Sequence, residues 1–190
     1  MKHLLQKILN NTLLFLSIFF FFTSCNKSEN YYYLDKNAYA IAGYYTYNIG
    51  DTLKLKINND TLIFLNKSIV KNNLEVTEPH GNISHLQELK VKFNEIFKNT
   101  EFKIEVRSIN NVEESHRNEY VLSFDEPFNT YTVFYDKDIK AKSYSDTIHS
   151  VFYNDLYKIM PNAYITIVVS KNKGILNYVY FDNFKVERVF

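Results

Sequence analysis

One segment of the chain brings together residue types that bind metal ions. The stretch EPHGNISHLQE contains two histidines and two glutamates: Glu78, His80, His85 and Glu88. Imidazole nitrogens and carboxylate oxygens are common zinc ligands. His85 and Glu88 are three residues apart and share a face if the segment is helical, whereas His80 lies outside that helix. No HExxH pattern is present, so we expect a polar loop leading into a helix, with no bound metal. A site formed by His80, His85 and Glu88 is the alternative.

Carboxylates follow two of the predicted strands. Asp125 comes after EYVLSF, and Asp136 and Asp138 come after TYTVFY. Paired carboxylates can bind Ca²⁺ or exchange protons with a substrate. These residues lack the spacing of an EF-hand loop, and Asp also stabilises turns by accepting hydrogen bonds from nearby backbone. We therefore expect solvated turns at both places.

The sequence offers little for a nucleophile or a phosphate site. No GxSxG motif is present, and four glycines in the whole chain leave little room for a glycine-rich phosphate loop. A Ser–His–Asp triad can still assemble from distant segments. We therefore expect a non-catalytic binding or structural module without a cofactor. The alternative is a periplasmic or surface hydrolase whose site is assembled from scattered His, Asp and Glu residues.

Tyrosines are the remaining candidates for a binding site. Tyr131 and Tyr135 point the same way on the predicted strand TYTVFY, because side chains alternate along a strand. Such rings on an exposed sheet face can stack on a sugar or contact an apolar side chain of a protein partner. With 22 basic and 21 acidic residues, the chain lacks the positive charge that nucleic-acid binding needs.

Strict alternation of apolar and polar residues predicts strands along much of the chain. In TLKLKI, Leu53, Leu55 and Ile57 point one way and the lysines the other. The turn NND then leads into TLIFL, which predicts a hairpin. The same reasoning predicts strands in these segments: AYAIAGYYTY, FKIEVRSI, EYVLSF, TYTVFY, AYITIVV, ILNYVYF and FKVERVF. The last three should form an antiparallel meander, with AYITIVV buried on both faces.

Two segments show helical spacing instead. Residues 84–99 carry a stripe of five apolar side chains: Leu86, Leu89, Phe93, Ile96 and Phe97. Ser84 and Gln87 fit a capping box at the start of that helix. A second helix is predicted for 146–159, where Pro161 follows. The predicted fold class is α+β, a mainly antiparallel sheet with about two amphipathic helices packed on it; a β-sandwich with helical insertions is the alternative.

The N-terminus has the pattern of a secretory signal peptide. Lys2 and Lys7 precede the apolar run LLFLSIFFFF, which ends at Phe22 and is followed by Thr23 and Ser24. The run is much shorter than the about 20 residues that span a membrane. Phe22-Thr23-Ser24-Cys25 resembles the lipobox of bacterial lipoproteins.

That resemblance implies a lipid anchor. The signal, 1–24, would be removed and Cys25 would carry acyl chains, palmitate among them. Two or three chains hold a protein on a membrane permanently, whereas one does so only marginally. Asn26 stands where some bacteria use Asp to retain lipoproteins in the inner membrane. We therefore expect a lipid-anchored protein of the cell envelope, at the outer membrane, with a tether at 25–30 and one globular domain at 31–190.

Overall fold

The computed structural model describes residues 28–78, 81–98, 100–110, 118–148, 150–181 and 184–190, and these form a structure made almost entirely of strands. The strands are β1 (Glu29–Tyr32), β2 (Thr52–Ile57), β3 (Asp60–Thr77), β4 (Ile83–Glu95), β5 (Glu101–Ser108), β6 (Asn118–Phe124), β7 (Thr130–Tyr135), β8 (Ile139–Ile148), β9 (Val151–Asn162), β10 (Ile165–Ser170), β11 (Gly174–Tyr180) and β12 (Phe184–Arg188). The one α-helix of the described residues is α1 (Lys36–Ile41), and a short 3₁₀ helix spans Asp136–Asp138.

All twelve strands belong to one sheet. The hydrogen-bonded order is β7-β6-β5-β4-β3-β2-β12-β11-β10-β9-β8, with every neighbouring pair antiparallel, and β1 adds to β4 in parallel. The two ends of this order, β7 and β8, are consecutive in the chain and are joined only by the 3₁₀ helix Asp136–Asp138. Because three residues cannot span a wide gap, the two ends lie close together. The sheet is therefore nearly closed and barrel-like.

The alternating sequence explains why this sheet curls. In β2, Leu53, Leu55 and Ile57 are buried, whereas the residues between them are exposed. The same alternation runs through β5, β6 and β7. A sheet with one apolar face must cover that face, and a curled sheet covers it with its own strands. The core consequently lies inside the curl.

A row of aromatic rings crosses that interior. Phe93, Phe102 and Phe124 lie opposite one another on β4, β5 and β6, and the rings of Phe102 and Phe124 stack with centroids 4.4 Å apart. Phe124 then reaches across the interior to Tyr178 on β11, at 6.2 Å. The Tyr178 hydroxyl lies 2.7 Å from Oγ1 of Thr132 on β7. Burial raises the pKa of Tyr178 to about 12, so this hydroxyl stays protonated inside the core.

Helix α1 packs against the interior core of the curled sheet. Asp35 caps the helix by accepting a hydrogen bond from the backbone N–H of Ala38, at 2.7 Å. The Tyr39 hydroxyl donates to Oε1 of Gln87 on β4, at 2.6 Å. On the other side, the Tyr157 hydroxyl of β9 donates to Oδ1 of Asn37, at 3.0 Å. The helix therefore bridges opposite walls of the sheet.

The predicted α+β fold class is wrong, and so is the alternative with helical insertions. Residues 84–99, predicted as the first helix, lie mostly in strand β4, and neither helix nor capping box forms there. The alternation of LKVKF decides the structure: Leu89, Val91 and Phe93 are buried and the lysines between them face outward. Phe93 is in the core as predicted, but Ile96 lies in the turn beyond the strand and is exposed.

The second predicted helix, 146–159, is also wrong, because it falls on β8 and β9. The register between these strands shifts at three places. The buried residues of β9 therefore do not alternate: Tyr157 and Ile159 belong to the interior core, and Tyr153 and Leu156 belong to a smaller cluster. Their successive spacings of three, one and two residues imitate a helix. The segment AYAIAGYYTY, predicted as a strand, instead contains most of α1 and a following turn.

Apart from AYAIAGYYTY, the predicted strands are confirmed. The hairpin of β2 and β3, strands β5 to β7 and the meander of β10, β11 and β12 all form where expected. Strand β10 is buried on both faces as predicted, since Ile167 and Val169 join the interior core and Val168 joins a smaller cluster on the opposite face.

The strand assignment of β4 makes a quantitative prediction. Phe93 is 0% exposed, so Phe93→Ala should lower the free energy of unfolding by about 3–5 kcal/mol. Ile96 is 49% exposed, so Ile96→Ala should change it by no more than about 0.5 kcal/mol. Chemical denaturation followed by circular dichroism measures both values. Equal losses in the two variants would support the helical stripe and contradict the strand.

Candidate functional site

The outer face of β4 to β7 carries three regular rows of side chains. Each row runs across the four strands, set by their register: Lys92, Lys103, Ser123 and Tyr131; Lys90, Glu105, Val121 and Val133; Glu88, Arg107, Glu119 and Tyr135. Their inner neighbours form the aromatic core. The strands that close the core thus also fix this outer face.

Opposite charges on this face pair with one another. Lys103 Nζ lies 2.8 Å from Oε1 of Glu101 and 3.7 Å from Oδ1 of Asp125. Arg107 donates to Oε1 of Glu119 at 2.7 Å. Pairs as exposed as these stabilise a fold by only about 0–1 kcal/mol, but they hold the long side chains in place. The outer face is consequently an ordered lattice of donors and acceptors.

Tyr131 stands on this lattice as an exposed ring. It is 62% exposed, and it lines two adjoining recesses of about 350 Å³ and about 240 Å³. The larger recess is lined by residues of β5, β6, β7 and the turn between β6 and β7: Lys103, Glu105, Val121, Ser123, Phe124, Asp125, Asn129, Thr130 and Tyr131. We call Tyr131 and this recess the Tyr131 groove. It offers one open aromatic face beside ammonium, carboxylate, amide and hydroxyl groups.

Tyr135, the other predicted ligand-binding tyrosine, lies on the same outer face but in a different environment. Its hydroxyl donates to Oε2 of Glu119 at 3.4 Å, and Lys137 Nζ lies 5.6 Å from the ring centroid. Burial, followed by the nearby Glu119 carboxylate, raises the pKa of Tyr135. Tyr135 is thus engaged within the protein, and Tyr131 carries the accessible aromatic surface.

The structure separates the residues of the alternative metal site. A spacing of three places His85 and Glu88 on opposite faces of a strand, and both belong to β4. The His85 ring stacks on Tyr31 at 4.4 Å, whereas Glu88 accepts from Lys90 at 3.1 Å. His80 lies outside the described residues. Within the described part of the chain, no group of three or more His, Cys, Asp or Glu side chains could hold a metal ion.

The carboxylates of the DKD turn have a structural role. Asp136 accepts from the backbone N–H of Asn118 at 2.9 Å and from the Tyr120 hydroxyl at 2.8 Å. Asp138 accepts from the backbone N–H of Tyr135 at 2.8 Å. Burial, and then Asp136, raises the pKa of Tyr120. These contacts fix the connection between β7 and β8.

Of the residues that line the groove, only Tyr131 was predicted from the sequence, and the polar lining was not. In the alternating segment FKIEVRS, Lys103, Glu105 and Arg107 lie on the outer face, yet nothing in the sequence states which strands become neighbours. The signal was present in NEYVLSF, whose outward residues include Val121 and Ser123. Cys25 lies outside the described residues, so the predicted lipid attachment stays a prediction.

Comparison of the chain with models of known protein families, with curated proteins and with solved structures found no match. Among the described residues, none of the helices has the length and apolar character needed to span a membrane. The geometry of the Tyr131 groove and the N-terminal sequence are therefore the two features that indicate a function.

Proposed function

We propose that this chain is a lipoprotein of the bacterial cell envelope, anchored in the outer membrane through Cys25, and that it binds a glycan in the Tyr131 groove without catalysing a reaction. The observation that carries the binding proposal is the exposed ring of Tyr131 between two recesses with polar linings. The anchor rests on the sequence Phe22-Thr23-Ser24-Cys25 and its resemblance to a lipobox.

A carbohydrate fits the chemistry of this groove. The apolar face of a sugar ring can stack on a tyrosine, whose hydroxyl remains available at the rim. Sugar hydroxyls need both donors and acceptors, and Lys103, Glu105 and Asn129 supply them around the recess. Because Lys103 is already held by Glu101 and Asp125, little side-chain entropy is lost when a ligand binds.

The arrangement of charges supports binding rather than catalysis. A general acid or base needs a pKa matched to its task, which enzymes obtain through burial or unbalanced neighbouring charges. In this lattice the carboxylates have cationic partners: Lys103 lies near Glu101 and Asp125, and Arg107 near Glu119. Carboxylates paired with cationic side chains suit ligand recognition by hydrogen bonding.

The anchor makes the first functional prediction. Mass spectrometry of the mature full chain should find an N-terminal, acylated Cys25, because the lipobox directs both cleavage and acylation. Cys25→Ser should move the protein from the membrane fraction to the soluble fraction or leave the signal uncleaved. A mature N-terminus elsewhere, without acyl groups, would show that the chain is not a lipoprotein.

The Tyr131 groove makes the second functional prediction. Screening the full chain in detergent micelles against an array of bacterial envelope glycans should give at least one ligand. Tyr131→Ala should weaken its binding by roughly tenfold, the loss expected when one stacked ring is removed. Tyr131→Phe should keep most of the affinity, because the stacking face is retained.

Tyr164→Ala is the matched control, since Tyr164 is also 62% exposed but lies in the turn between β9 and β10. It should bind as the unchanged protein does. Tyr131→Ala should unfold within about 0.5 kcal/mol of the unchanged protein, whereas Tyr164→Ala should lose about 0.5–1.5 kcal/mol because its ring stacks on Phe181 with centroids 5.5 Å apart. Equal loss of binding in both variants, or no glycan bound at all, would refute the groove as a glycan site. Turnover of a bound glycan would refute the non-catalytic part of the proposal.

A further inference from the structure

Strand β3 has an edge that no other strand covers. Strand β2 pairs with β3 only as far as Leu65, and the backbone of Asn66 then bonds with Gly50 and Asp51. Strand β4 continues to pair with the opposite edge through Thr77. Among the described residues, no strand pairs with β3 on its other side over residues 67–77, which we call the free β3 edge. Its outward N–H and C=O groups are therefore available to another strand.

The side chains of this edge are also exposed. Val70 is 40% exposed and Val76 is 43% exposed, and Lys71, Asn73 and Glu75 between them are exposed as well. The edge contains no proline, which would block pairing. Natural proteins usually protect such a long edge, so a partner that completes it is the natural expectation.

The sequence of the edge is complementary to itself. In an antiparallel pair of two copies related by a two-fold axis at Asn73, Lys71 of each copy lies opposite Glu75 of the second copy. Val70 then lies opposite Val76 on the other face, and Asn73 lies opposite its own equivalent, so that the two amides can exchange hydrogen bonds. Opposite charges and branched apolar pairs placed directly across from one another stabilise antiparallel strands.

Neighbouring registers lose this complementarity. Residues that lie opposite one another must point to the same face of the sheet. The two-fold axis can therefore pass through a residue but not between two residues. An axis at Asn72 places Lys71 opposite Asn73, and an axis at Leu74 places it opposite Thr77. Only the axis at Asn73 pairs both lysines with both glutamates.

We propose that this chain forms a symmetric homodimer in which the free β3 edges of two copies pair antiparallel around Asn73 and join the two sheets into one. The interface is isologous, the commonest arrangement for a dimer. It leaves the Tyr131 groove open in both copies, because that groove lies on β5 to β7 and not on β3. The proposal stands independently of what the groove binds.

Disulfide cross-linking of the full chain in detergent micelles tests the register. Val70→Cys and Val76→Cys are made as separate variants, purified and mixed under mild oxidation. In the dimer the β-carbons of opposite residues lie about 5 Å apart, within the range that a disulfide spans. Two copies of Val70→Cys alone place their cysteines six residues apart along the strands, roughly 20 Å.

The mixture should therefore form a covalent dimer at least about tenfold faster than either variant alone, given that separation. Asn73→Cys alone should cross-link at least as fast as the mixture, because all of its dimers, and only the mixed dimers of the two other variants, bring two cysteines opposite each other. Asn59→Cys, in the exposed turn between β2 and β3, should cross-link no faster than the unchanged chain, which sets the background. A mixture no faster than Asn59→Cys, or Val70→Cys as fast alone as when mixed, would overturn the proposal.

Charge reversal provides a second, independent readout. Lys71→Glu and Glu75→Lys should each weaken the dimer by about tenfold in sedimentation equilibrium, because each places two like-charge pairs across the interface. The double reversal should restore the association. Lys71 Nζ also lies 5.1 Å from the centroid of the Tyr39 ring. If Lys71→Glu weakened the dimer only by losing that contact, adding Glu75→Lys would not restore the association. Failure of the double variant to recover, or unchanged association in the single variants, contradicts the pairing.

Discussion

The connection between β7 and β8 is only three residues long, and this short link determines how the whole sheet curls. These strands are the first and last of the eleven-strand path, so joining them through Asp136–Asp138 forces the whole sheet to curl. Asp136 holds the connection by accepting from Asn118 and Tyr120, and Asp138 does so by accepting from Tyr135. Inside, contact of Phe124 and Thr132 with Tyr178 fills the space that the curl creates. Asp136 and Asp138, whose carboxylates suggested a calcium or acid–base site, thus hold the two ends of the sheet together.

Closure divides the molecule into a buried inner face and a free outer face. Because the sheet covers its own apolar face, no layer of helices is needed, and the outer side chains of β4 to β7 remain accessible. The lattice of ion pairs and the exposed Tyr131 are direct consequences. The free β3 edge has a different origin, because β3 continues beyond the end of its partner β2. Both proposed interactions therefore use surfaces that the curled sheet leaves open.

Much of the strand content could be predicted from the sequence, but the closure could not. Strict alternation, as in TLKLKI and FKIEVRSI, arises when one face of a strand is buried, and it predicted these two strands correctly. It failed where two periods compete: β4 contains both a helical stripe and the alternation of LKVKF, and the register shifts of β8 and β9 disturb the pattern. Helix α1 was missed because AYAIA alternates, although Asp35 before an alanine-rich turn was a capping signal. Alternation also predicted that the Tyr131 side chain points outward. Which polar side chains lie beside it depends on the order of the strands in the sheet, and no local pattern in a single sequence encodes that order.

The contact between Thr132 and Tyr178 tests the account most directly, because these residues are 46 positions apart and belong to strands that are not neighbours in the sheet. Nuclear Overhauser measurements on the full chain in detergent micelles, with labelled threonine methyl groups and tyrosine rings, should show a cross-peak between the Thr132 methyl group and the Tyr178 ring. Cα chemical shifts of residues 84–95 should be those of a strand. Absence of the cross-peak together with helical shifts over that segment would contradict the curled sheet.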